Sequence, residues 1–151
     1  MNVMQTGGSK IDSYCSDIAI ACDTNGYGLM LEIEDYLREN GVGFKDLGVF
    51  ADGVEAAVSL IANAAVETRS IVICSDANEV CMYVNKLKGS RCVNADKPTR
   101  VVLARKENDA NMIALDYLAT GFGVNMESVW KFISVDFSGE EFARRLNEWE
   151  G

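Results

Sequence analysis

Along the chain, short unbroken apolar runs alternate with stretches in which apolar residues recur every three or four positions. Ile18-Ala19-Ile20-Ala21 is the first run and reads as a buried strand. Leu29, Ile33, Tyr36 and Leu37 then share one helical face, and Asn40-Gly41 closes that helix, as Gly or Asn does just past a helix C-terminus. A second strand is predicted near Gly43–Leu47, and an alanine-rich helix across Val54–Val66. Ser70–Cys74 is a third strand. Ser75-Asp76-Ala77-Asn78-Glu79 reads as a polar loop leading into a helix over Val80–Lys86. Arg91-Cys92-Val93 makes a fourth strand, and Pro98, the only proline, suits the first turn of a helix running to about Glu107. Asn111–Leu115 is a fifth strand and Met126–Ser134 a further helix. Gly139–Trp149 is an amphipathic tail with Phe142, Leu146 and Trp149 at helical spacing.

This alternation predicts parallel β-α-β units: a three-layer, doubly wound, Rossmann-like α/β domain with a five-stranded parallel sheet, helices on both faces and a C-terminal helical tail. The domain spans 17–151, and residues 1–16 read as a loose extension. In open α/β sheets, ligands lie at the carboxyl ends of the strands. Asp23, at the end of the first strand, therefore stands where a ligand-contacting carboxylate belongs.

Composition narrows the chemistry. At 151 residues, 48% hydrophobic and 25% charged, the chain is one ordinary globular domain. A net charge of −9 argues against nucleic acid as a partner and makes an unaided anion pocket harder to build. No run approaches the ~20 apolar residues that cross a bilayer, and the N-terminus lacks the apolar middle of a signal peptide, so no membrane association is expected. Five cysteines without metal-type spacing suit a reduced, cytoplasmic compartment; no metal or cofactor is expected. There is no histidine, so any proton carrier near neutrality must be a tuned cysteine or carboxylate.

Four blocks, in order, resemble the family of type B ribose-5-phosphate isomerases and galactose-6-phosphate isomerase subunits. The first runs from Ala21 to Gly48 and includes Cys22, Asp23, Gly26, Tyr27 and Asp46. The second holds Ile73-Cys74, Asn85-Lys86, Gly89 and Arg91. The third is Ala104-Arg105-x-x-Asn108-Asp109-Ala110-Asn111-x-x-Ala114-Leu115, and the fourth Phe137-x-Gly139 with Arg144-Arg145. Together with the alternation, the resemblance implies strand order 2-1-3-4-5. It also implies a 1,2 proton shift between an aldose and a ketose phosphate. Such chemistry needs a base at carbon, donors for the enediolate oxygen, an acid to open the sugar ring and a cationic phosphate clamp.

The resemblance implies a role for each candidate. Cys74 aligns with the base of one family branch, and a thiol facing a helix N-terminus can be acidified; the alternative is a small buried hydrophobe. Glu79 is a substitute base, one position short of the glutamate of another branch. Glu107 stands in place of the ring-opening histidine, or is a solvated helix end. Asp23 would contact the ring and Asn108 the enediolate or a turn. Thr24 replaces a phosphate-binding histidine, Glu141 replaces another clamp residue, and Arg145 remains as the surviving clamp arginine or as an exposed tail residue. Residues 75–79 replace the family's glycine-rich cradle and add two carboxylates. Two classes follow: a divergent isomerase with weak activity or altered substrate, or a non-catalytic subunit or sugar-binding module beside an intact paralogue. The small molecule would be a sugar or sugar phosphate, and the family's shared sites imply a homodimer or homotetramer.

Overall fold

The computed structural model describes residues 18–63 and 68–150. The expected N-terminal extension and the last turn of the alanine-rich helix, past Asn63, lie outside the described residues. Five strands form one parallel sheet: β1 Ile18–Asp23, β2 Phe44–Phe50, β3 Arg69–Cys74, β4 Cys92–Asn94 and β5 Met112–Asp116. Between them run α1 Tyr27–Glu39, α2 Gly53–Asn63, α3 Ala77–Val84, α4 Pro98–Asn108, α5 Phe122–Ser134 and the tail helix α6 Glu140–Glu150. None of the described helices is long and apolar enough to cross a membrane.

Alternate residues of the central strands feed two cores. Ile18, Ile20 and Cys22 of β1, with Ile71, Ile73, Ile113 and Leu115, pack under α1, α4 and α5. Ala19, Ala21, Val72, Cys74 and Ala114 point the other way, against α2 and α3. The small residues of that second face let α2 lie close: a Cβ on Gly53 would sit 2.6 Å from the Cβ of Cys74 and 2.9 Å from Val80. The helix that opens beside Cys74 thus starts on the one residue without a side chain.

One expectation is corrected. The strand order is 2-1-3-5-4, not 2-1-3-4-5. Chain order and spatial order part because β5 is wholly apolar and buried from Met112 to Leu115, which suits a central strand hydrogen-bonded on both edges. The three-residue β4, with Val93 and Asn94 half-buried, takes the edge. A second difference concerns the supposed loop after β3. Ala77–Glu79 are the first turn of α3, because the Asp76 side chain accepts from the Glu79 amide at 3.1 Å and caps the helix.

Candidate active site

The carboxyl edge of the sheet brings Asp23, Thr24 and Cys74 together with two residues not singled out from sequence, Asp116 and Tyr117. Asp23 leaves β1 extended and buried, and both its oxygens are used: Oδ1 accepts from the Gly26 amide and Oδ2 from the Tyr117 hydroxyl, each at 2.9 Å. Thr24 is exposed and donates to the Phe50 carbonyl at 3.3 Å. Tyr117 reaches across because its amide bonds to the Cys74 carbonyl at 3.1 Å, which fixes the turn after β5 over the end of β3. Its hydroxyl pKa is raised, by burial first and then by Asp23, while Ser75 and Asn25 pull it back. The sequence signal for this pair was present: Asp116-Tyr117 directly follows the fifth apolar run, at the edge where ligands bind.

Cys74 lies opposite Asp116 in the β3–β5 register, and its thiol donates to the Leu115 carbonyl at 3.7 Å. Acidification by the following helix is not what the structure produces. Burial pushes the thiol up to about 12; a backbone hydrogen bond at Asp76 lowers it less, and the charges of Asp116 and Asp23 raise it further. Two amides at the start of α3 already have carboxylate partners. Asp116 Oδ2 accepts from Ala77 at 3.5 Å and Asp76 accepts from Glu79 at 3.1 Å, so these two donors are turned to carboxylates of the chain itself. Glu79 itself is exposed on the first turn of α3.

The remaining candidates form a separate cluster. Glu107, Asn108 and Arg145 line one groove of about 560 Å³ between the end of α4 and α6, together with Phe142 and Trp149; neither Asp23 nor Cys74 lines it. Glycine makes this junction: a Cβ on Gly139 would collide with the Glu107 backbone, and Ser138 donates from its amide to the Lys106 carbonyl at 2.7 Å. Asn108 also borders a wider groove of about 900 Å³ that Asn78 of α3 lines from the other side. Beneath the groove, Arg105 is buried and structural, bonded to the Ala110 carbonyl at 2.6 Å and to Asp109 at 3.0 Å. That pair holds Asp109 in the left-handed conformation, φ 49°, that ends α4. Arg91 adds a second bond to Asp109 at 3.3 Å. Arg144 is paired with Glu141 and Glu148, which leaves Arg145 as the tail arginine that lines the groove.

Residues 18–149 match the model of the Ribose/Galactose Isomerase family. The chain belongs to that family. It is 29% identical over 128 residues to the ribose-5-phosphate isomerase B of Listeria innocua, covering 81% of this chain and 86% of that protein. It is 26% identical over 138 residues to the D-erythrulose-4-phosphate isomerase of Pectobacterium atrosepticum, with 87% and 91% covered. Among solved structures, the ribose-5-phosphate isomerase B of Mycoplasma genitalium with bound ribulose 5-phosphate superposes with a TM-score of 0.76 at 27% identity, covering 87% of this chain and 92% of that one. The five-stranded parallel sheet and its flanking helices thus share the fold of that isomerase.

Proposed function

We propose that this chain is an aldose–ketose isomerase acting on a sugar phosphate or a related sugar, with weak turnover of ribose 5-phosphate. Family membership supports the reaction class. The observation that carries the weakness is the filling of the α3 amides by Asp76 and Asp116, next to a thiol held at about 12. In this reading Asp23 binds a ring hydroxyl, oriented by Gly26 and Tyr117, and Cys74 removes the proton from the carbon beside the carbonyl. Asn108 and Glu107 serve the sugar oxygens, and Arg145 holds an anionic end. With burial holding the thiol far above neutrality, little of it is thiolate near pH 7, a rate penalty in itself. The loss of even one oxyanion donor adds ~10²–10³.

The separation of Asp23 and Cys74 from Glu107, Asn108 and Arg145 favours a site assembled from two copies, each lending one half. A homodimer or homotetramer follows from that reading, and the cysteine usage suits the cytoplasm. The filled amides also favour a second reading, a non-catalytic subunit or sugar-binding module that lends its groove to an intact paralogue. Steady-state conversion of ribose 5-phosphate by the purified chain separates the two. Turnover well below 1 per second supports the weak isomerase, none above the uncatalysed rate supports the subunit, and ordinary values of ~1–10³ per second overturn both.

A further inference from the structure

The described residues hold a second cysteine site that the isomerase reading leaves unused. Cys81, in the second turn of α3, and Cys92, the first residue of β4, face each other with their sulfurs 3.5 Å apart. We propose that Cys81 and Cys92 are a peroxide-responsive thiol pair that closes to a disulfide joining α3 to β4.

The pair is held in place from both sides. Asn85, at the end of α3, accepts from the Cys92 amide at 2.7 Å and donates to the Cys92 carbonyl at 2.8 Å. Cys92 is also registered against Met112 in the sheet. Cys81 is the accessible partner: it is half-buried and lines the 900 Å³ groove, through which a small peroxide can reach the thiol. Its pKa is lowered by the hydrogen bond from Cys92, whereas Cys92 is raised by that bond and by burial. The other buried thiols point the opposite way, with burial holding Cys22 at about 11 and Cys74 at about 12. Nucleophile and resolving thiol are thus assigned by position.

The chemistry balances with a hydroperoxide as oxidant. The Cys81 thiolate attacks one peroxide oxygen; the S–O bond forms, the O–O bond breaks and the leaving oxygen departs as water after taking a proton. The Cys92 sulfur then attacks the Cys81 sulfur; the S–S bond forms, the S–O bond breaks, and the hydroxide leaves as water with the Cys92 proton. Two thiols lose two electrons in all, and the peroxide is reduced to water. The cross-link closes a short loop and fixes α3, whose first turn carries the Asp76 cap beside Cys74. It should raise the thermal midpoint by roughly 5 °C.

The test treats the full-length protein with a small excess of hydrogen peroxide, alkylates the remaining thiols and digests without reductant. Trypsin cuts between the two cysteines at Lys86, Lys88 and Arg91, and cleavage after Glu79 separates Cys74 from Cys81. The expected product is a linked Cys81–Cys92 peptide pair that dithiothreitol dissolves, with Cys22 and Cys74 recovered alkylated. In Cys92→Ser, which lacks the resolving thiol, dimedone should trap a sulfenic acid at Cys81. Recovery of both cysteines as alkylated thiols overturns the proposal, as does either one found bound to a different cysteine. A Cys92→Ser variant that gives no dimedone adduct removes the assignment of Cys81 as the attacking thiol.

Discussion

Cys74 is the residue on which two physical effects compete, and burial prevails over the helix N-terminus that follows it. The consequence is measurable in rate and in labelling. If Cys74 is the base, kcat/KM should climb about tenfold per pH unit from 7 to 9 without levelling, because the thiol at about 12 is far from titrated. Cys74→Ser should abolish turnover and leave the circular dichroism spectrum unchanged. Brief iodoacetamide treatment should label the half-buried, lowered Cys81 ahead of Cys74, an order that quantitative mass spectrometry reads directly. On α1, Glu34 is buried and pushed from 4.5 to about 7, first by burial and then by its hydrogen bond to Asp46, with Arg38 opposing. A carboxyl raised on folding binds more protons in the folded state between those values, so stability falls as pH rises through that window and stays lost above it. Glu34→Gln should therefore be neutral near pH 4.5 and more stable than the parent at pH 8 by on the order of 2 kcal/mol, measured by urea unfolding at both values.

Elements show which features the sequence carries and which it hides. β1, α1, β3 and the span of α4 are legible because each has a clean period and a cap or a proline at its boundary. The start of α3 was legible too: Asp76-Ala77-Asn78-Glu79 has the spacing of an N-cap followed three residues later by Glu, and polarity alone made it look like a loop. The exchange of β4 and β5 was not legible, because it depends on which strand buries both faces in the finished sheet. Nor was the Tyr117–Asp23 bond, which joins positions 94 residues apart. Asp76→Ala should cost about 1 kcal/mol by removing the cap, and freeing the Glu79 amide should not raise turnover unless Asp116 is also replaced. Thermal melts and ribose 5-phosphate assays of the single and double variants check both halves of that statement.

At the scale of the whole molecule, charge and assembly decide what the site can hold. The chain carries −9, and Arg91, Arg100, Arg105 and Arg144 are each paired with a carboxylate of their own chain. Among the described residues, Arg145 is the one cation lining the tail groove, beside Glu107 and Glu141, which fits poor use of a phosphorylated pentose better than it fits a fast enzyme. If the two half-sites complete each other across a second copy, as proposed, light scattering at micromolar concentration should give at least a dimer. Mixing Cys74→Ser with Arg145→Ala protomers should then restore part of the activity that each variant lacks. The most direct measurement follows the proton itself: the purified chain is incubated with ribose 5-phosphate in heavy water and the ketose is read by NMR for deuterium at the carbon that receives it. Slow incorporation, below ~1 per second, that disappears in Cys74→Ser is the expected result. Incorporation no faster than in that variant, or conversion at the rate of an ordinary enzyme, would contradict it.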